Sequence, residues 1–261
     1  MTVAELQAEL FNQLDQPFTG EALFDCLGDL VFFIKNVRGE YVVVNQTLVE
    51  RCSLSDKGAV IGKTADRVYP RPLGQNYHAQ DEAVLRTGEP ILNQLELQLY
   101  PSGGPGWCLT NKLPLRDRHG QIVGLVGISK DLQAPNEKGE DFSRIAEVVR
   151  HIQTHFDQPL KVRSLAVTAR LSAYQFEQRI RKIFQITAGQ FIQKVRMDAA
   201  VRRLRETEDS IAQIAHECGY CDQSAFTRQF RQTVGLTPTQ YRRTLPCFAL
   251  PAPPPSVRTR G

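Results

Sequence analysis

At 261 residues, 41% hydrophobic and 23% charged, the chain is long enough for two globular domains, each with its own core. No stretch approaches the ~18 apolar residues of a membrane span, and the acidic start MTVAELQAELFNQL argues against a secretory signal. A cytoplasmic protein with no membrane contact is therefore expected.

The net charge of +4 is unevenly held. Residues 1–134 carry 12 Lys/Arg against 16 Asp/Glu, a net −4, while residues 135–261 carry 20 against 12, a net +8. Such asymmetry favours nucleic acid as the partner of the second half, although a charge run alone is more often a solvated face. The six cysteines (26, 52, 108, 218, 221 and 247) are scattered. In the cytosol that pattern means free thiols rather than a disulfide framework.

Residues 4–14 carry apolar positions at helical spacing, which predicts a leading helix within residues 1–19, ended by Pro17 and Gly20. Next, LVFFIKN and EYVVVN flank Val37-Arg38-Gly39, a hairpin signal, and a helical stretch follows near Gln46 to Arg51. A second helical stretch near Gln75 to Arg86 ends at Thr87-Gly88. Three further runs, ILNQLELQLY, WCLTNKLPL and QIVGLVGIS, supply three more strands. The first domain is thus expected at residues 20–132: two strands, short helices, three strands. Residues 133–141, QAPNEKGED, are a polar linker, and Phe142 to Phe156 repeats apolar residues as an amphipathic helix. A second domain is expected at residues 142–245, and the Pro-rich residues 246–261 predict a disordered tail.

Inside the second domain, Ile211, Ile214, Ala215 and Cys218 recur at helical spacing. Gly219 breaks the run, and Phe226, Phe230 and Val234 restart it. This pattern predicts helix, tight turn, helix. With Phe226 at zero on a helical wheel, Thr227, Arg231, Ser224 and Arg228 fall at about 100° to 200°, a polar and basic face opposite the core. The same pattern occurs upstream. Val162, Leu165, Ala166 and Ala169 match the first helix at an offset of 49, and Phe176, Ile180, Ile186, Thr187, Gln190 and Phe191 match Phe226, Phe230, Leu236, Thr237, Gln240 and Tyr241 at 50. A long helix, Gly189 to Arg205, joins the two units and carries Arg196, Arg202, Arg203 and Arg205.

Two local patterns carry little. Cys218-Gly219-Tyr220-Cys221 has CxxC spacing, yet one thiol falls on the buried stripe and the other on the turn, with no second pair nearby, so no metal is expected. Asn45-Gln46-Thr47 fits a glycosylation sequon that a cytosolic chain never presents to the enzyme.

The strand and helix order of residues 23–132, with FFIKNVRGEYVVVNQTLVERC near its start and LPLRDRHGQIVGLVGISKDL at its end, resembles a PAS domain. That resemblance implies a five-stranded antiparallel sheet whose helices enclose a pocket for a small ligand, and a domain that often forms homodimers. The family's closing Asp-x-Thr is here Asp131-Leu132-Gln133. No cofactor is identified: the cysteine motif of flavin light sensors is absent. His78 lies in the helix from which haem sensors of the family draw a ligand, although an exposed or hydrogen-bonded histidine is the commoner situation.

The run from Ile214 to Arg242, I-A-x-x-x-G-Y-x-x-x-S-x-F-x-R-x-F-R-x-x-x-G-x-T-P-x-x-Y-R, together with its upstream copy, resembles the AraC family of transcription regulators over Ile145 to Arg243. The resemblance implies an all-α domain of seven helices placing two recognition helices in successive major grooves of double-stranded promoter DNA. It also implies transcription activation, with RNA polymerase as a further partner. The fold class expected is therefore an α+β PAS domain followed by an all-α AraC-type domain with two helix-turn-helix units.

Groove-facing positions of the second recognition helix are Gln223, Ser224, Thr227 and Arg228. By the repeat offset the first presents Ala173, Tyr174, Glu177 and Gln178. Arginine grips guanine through two hydrogen bonds and glutamine pairs with adenine, so Arg228 and Gln178 are the leading base readers; Tyr174 can stack on a sugar or a thymine methyl. Gln175, Arg179, Lys182, Arg202 and Arg231 are placed for phosphates. Glu177 either accepts from cytosine or pairs with Arg181 one turn on. The first unit departs from the family at Gln185, where a glycine is usual. Two rival readings remain: a PAS domain that only dimerises, and a catalytic domain fused to a DNA-binding one. Against the second, residues 1–134 show no nucleophile elbow, P-loop, metal-ligand run or dinucleotide loop.

Overall fold

The computed structural model describes residues 2–15, 17–99, 105–132 and 145–244. The linker at 133–141, Gln133 of the closing motif, the start of the helix expected from Phe142, and the tail with Cys247 lie outside the described residues. Chain contacts divide the protein into two units, residues 1–92 with 110–130, and residues 93–109 with 131–261.

The first unit opens with α1 (Val3–Phe11), whose first turn is closed by a reciprocal cap. Thr2 Oγ1 accepts from the Glu5 amide, and the Glu5 carboxylate accepts from the Thr2 amide. The helix stops at Asn12, short of the expected Leu14, because Leu10, Phe11 and Leu14 are exposed and no packing prolongs it. A five-residue helix that the pattern did not signal, α2 (Glu21–Asp25), leads into β1 (Leu30–Asn36). Then come β2 (Tyr41–Val44), α3 (Gln46–Arg51), α4 (Ala65–Val68) and α5 (Leu73–Thr87), and finally β3 (Ile91–Leu99), β4 (Pro105–Arg116) and β5 (Ile122–Asp131), of which residues 93–99, 105–109 and 131 are grouped with the second unit. The sheet order is β2-β1-β5-β4-β3, with β1 antiparallel to both β2 and β5.

Alternation along β1 decides what lies on each face. Val31 and Phe33 point inward with Tyr41, Val44, Leu48, Val49, Val84 and Leu125, each such burial contributing about 1.5–3 kcal/mol. Leu30 and Phe32 take the other face with Val43, where the Phe24 ring of α2 stacks on Phe32 at 4.0 Å. Gly127 lies opposite Phe33, and any side chain there would collide with the Phe33 ring. Asn45, the sequon residue, is fully buried. Its Oδ1 accepts from the Phe32 and Leu48 amides, and its Nδ2 donates to the Phe24 and Leu30 carbonyls.

The second unit contains seven helices among its described residues: α6 (Ala146–Thr154), α7 (Val162–Thr168), α8 (Ala173–Phe184), α9 (Ala188–Glu206), α10 (Ile211–Glu217), α11 (Gln223–Val234) and α12 (Pro238–Thr244). Ile145, Val148, Val149, Ile152, Phe176, Ile180 and Phe191 share one core. In the second repeat Phe226, Phe230 and Tyr241 form a ladder of ring contacts at 5.5 and 5.7 Å. The connecting helix α9 buries residues on several sides, among them Phe191, Ile192, Met197, Ala200, Val201 and Leu204. A helix placed between two cores has no wide solvent face.

Candidate nucleic-acid interface

Each recognition helix begins and ends on a defined residue. Ser172 caps α8 in a box with Gln175, whose Oε1 accepts from the Ser172 amide at 3.1 Å. Asp222 caps α11, accepting from the Ala225 amide at 2.7 Å. Both helices end on a left-handed residue: Gly235 (φ +81°) after α11 and Gln185 (φ +61°) after α8. The missing glycine of the first unit therefore leaves its helix ending intact.

On α8, Tyr174 is 72% exposed and Gln178 is exposed. With Gln175, Arg179, Arg181 and Lys182 they line an open concavity of about 610 Å³. On α11, Gln223, Ser224, Arg228 and Arg231 are exposed and Thr227 is half-buried. The expected reading residues of each helix, the half-buried Thr227 aside, thus lie away from its buried stripe. Glu177 takes the structural alternative: Oε1 accepts from Arg181 Nε at 3.0 Å and Oε2 from the Ala188 amide at 3.1 Å.

The arginines of α9 divide by role. Arg202 is exposed, Arg203 pairs with Glu217 and with Asp209 at 3.5 Å, and Arg196 donates to the Phe156 and Gln158 carbonyls. Sequence reasoning missed the use of Arg196, since carbonyl partners some forty residues away leave no mark in local spacing. Cys218 is buried and Cys221 exposed, as the pattern implied, and among the described residues no cluster of His, Cys, Asp or Glu could hold a metal.

The first unit holds a second polar constellation that the strand pattern did not single out. Lys35 shares the inward face of β1 with Val31 and Phe33, and its Nζ pairs with Asp81 of α5. Lys112 of β4 reaches the other Asp81 oxygen at 2.7 Å and Gln80 Oε1 at 2.9 Å. The Lys35 ammonium also stands 3.8 Å from the Tyr41 ring centre, a cation–π contact. Burial pushes Lys35 down to about 8 in spite of Asp81. Burial raises the Asp81 carboxyl, but Lys112 and Lys35 outweigh that and hold it below its ordinary range. His78 lies half-buried on α5, 3.5 Å from Glu82.

Two capped helix-turn-helix units on one shared helix, each turning a polar face away from its core, define a tandem helix-turn-helix protein. Residues 165–244 match a helix-turn-helix domain family, and residues 24–137 match the PAS fold. The probable transcriptional regulator LumQ of Photobacterium leiognathi is 28% identical over 115 residues, 44% of this chain and 46% of LumQ. Regulatory protein SoxS of Escherichia coli (strain K12) is 34% identical over 101 residues, 39% of this chain and 94% of SoxS. The crystal structure of the DNA-binding domain of AdpA in complex with a target DNA matches at 28% identity with a TM-score of 0.38, covering 40% of this chain and 94% of that one. The chain spans less than half the length of LumQ. It belongs to the AraC family of transcriptional regulators and joins a PAS fold to the AraC-type domain.

Proposed function

We propose that the protein is a sequence-specific, cytoplasmic DNA-binding regulator, a sensor at residues 20–132 joined by a 133–141 linker to a reader at 142–245. The observation that carries this is the pair of outward polar faces on α8 and α11, each backed by a buried stripe, Phe176, Ile180 and Ile183 in the first and Phe226, Phe230 and Val234 in the second. Tyr174, Gln178, Gln223, Ser224, Thr227 and Arg228 are the base-contacting set. Gln175, Arg179, Lys182, Arg202 and Arg231 take phosphates. Arg228 and Gln178 fix the strongest preferences, since a bidentate pair discriminates by ~1–3 kcal/mol.

The first unit biases the reader by binding a small molecule, by homodimerising, or by both, and the outcome is activation of a promoter through RNA polymerase. The buried Lys35, Asp81 and Lys112 group supports a sensing role, because buried ions in place of apolar packing stabilise a fold weakly. Among the described residues no helix is long and apolar enough to cross a membrane. The test compares operator affinity and promoter output of the full chain with those of residues 142–261, alongside extraction of any small molecule that copurifies. Different affinity or output is expected. Equal values on both would leave the first unit without a regulatory role.

A further inference from the structure

Both recognition helices are fastened to the same helix by side chains that the reading faces do not use. Glu177 of α8 accepts the amide of Ala188, the first residue of α9, at 3.1 Å, and its other oxygen is held by Arg181. Five residues along α9, Gln193 Nε2 donates to Thr233 Oγ1 of α11 at 2.8 Å. Thr233 is buried and its hydroxyl also accepts from Gln229 at 3.3 Å. At ~1.5 Å per residue the two fastenings stand about 7–8 Å apart along one helix axis.

Arg196, less than one turn beyond Gln193, closes the arrangement. Its Nε and Nη2 donate to the carbonyls of Phe156 and Gln158 at 2.8 and 2.9 Å, in the loop between α6 and α7. The same guanidinium lies 5.8 Å from the Tyr220 ring centre, at the turn between α10 and α11. Gly219 fits tightly there: a Cβ would fall 2.6 Å from the Phe156 carbonyl oxygen and 2.9 Å from Arg196 Nη2. One side chain thus joins the first repeat to the turn of the second. Hydrogen bonds of this kind hold a geometry more than they add stability, since each replaces one that the same groups make to water in the unfolded chain.

We infer that Glu177, Gln193, Thr233 and Arg196 are positioning residues that set the separation at which α8 and α11 meet DNA. Selectivity for the spacing between two sequence blocks then resides in α9 and its fastenings, and selectivity for bases resides in the reading faces. This rests on the proposed reading that both helices enter DNA.

The experiment uses the full chain. Selection from random duplexes defines the two blocks bound by the wild type, after which the spacer between them is lengthened or shortened by one base pair. Such a step shifts and rotates one block by roughly a tenth of a helical turn, and the wild type should lose roughly tenfold or more in affinity. Thr233→Val, which keeps the side-chain shape, and Arg196→Met should flatten that penalty to within about threefold, with base preference inside each block unchanged. Glu177→Ala should flatten it as well, whereas Glu177→Gln, which keeps an acceptor for Ala188, should retain it. A wild-type spacing profile in Thr233→Val and Arg196→Met overturns the inference, whatever happens to melting temperature. So does a changed base preference in Glu177→Ala. A wild type that selects one block alone removes the two-helix reading, and this inference with it, before any variant is made.

Discussion

Gln185 and Gly235 occupy the same place in the two repeats and share one backbone conformation, left-handed at φ +61° and +81°. For glycine that conformation carries no steric penalty, whereas for glutamine it costs about 1 kcal/mol. Gln185→Gly is therefore expected to stabilise the reader by about 0.5–1 kcal/mol, and Gly235→Ala to destabilise it by at least as much. Urea titration of both variants checks this. A destabilised Gln185→Gly would mean that the glutamine side chain contributes something its exposure does not suggest.

Asp81 between two buried lysines yields a sharper contrast. Asp81→Asn leaves two neighbouring cations without their carboxylate and should cost about 3–5 kcal/mol. Lys35→Met leaves Asp81 paired with Lys112 and should cost clearly less. Similar losses in denaturant titrations would show that the three charges do not act as this geometry implies.

The same group gives stability a pH dependence with a definite sign. Folded Lys35 titrates near 8 and the unfolded chain near 10.5, so between those values the unfolded state holds more protons and stability rises with pH. Above pH 9 the effect is opposed. Burial pushes Cys52 up to about 11 and raises Tyr41 and Tyr69 well above their ordinary range, so the folded state keeps their protons longer. Asp81 acts at the acid end: its contribution is present above its ordinary 3.8 and is lost as pH falls through its depressed folded value. Between pH 8 and 9 the wild type should gain stability relative to Lys35→Met. A flat difference across that interval would remove Lys35 as the cause.

How much of this was legible in the sequence follows from which interactions are local. The apolar stripes at Phe176, Ile180, Phe226 and Phe230 and the turn at Gly219 are set by spacing within a dozen residues, the repeat shows as a second copy of that spacing, and the helices fall where it puts them. The succession of strands was legible from apolar runs and turn signals, while the pleat that puts Lys35 of β1 on the inward face beside Phe33 was a signal available but unused. The short helices α2 and α4 were not signalled, since four or five residues hold too little periodicity to register. Glu177 shows the limit most clearly. Sequence left it between a base and Arg181, and only the folded chain brings the Ala188 amide to its second oxygen.

Thiol chemistry offers an independent check on burial. Cys26 and Cys221 are exposed, Cys108 and Cys218 are buried, and burial pushes Cys218 up to about 11. In the native protein at neutral pH, mass mapping after a thiol reagent should find Cys26 and Cys221 modified in minutes. Cys108 and Cys218 should react only after unfolding. Rapid labelling of Cys218, or a Cys218–Cys221 disulfide in the purified protein, would contradict the packing of the second turn.

Arg228 and Arg231 lie three residues apart on the exposed side of α11, yet they are assigned different tasks. Arg228 sits with Gln223, Ser224 and Thr227 among the residues proposed to contact bases, so Arg228→Ala should cost ~1–3 kcal/mol on the selected site and relax preference at one base pair. Arg231 is assigned to phosphate. Arg231→Ala should weaken binding alike on selected and random duplexes and lower the slope of log affinity against log salt by about one. Titrations of both variants on both duplexes at several salt concentrations separate the two roles. If Arg228→Ala loses affinity equally on selected and random DNA, the base-reading assignment fails and α11 docks with a different face toward the groove.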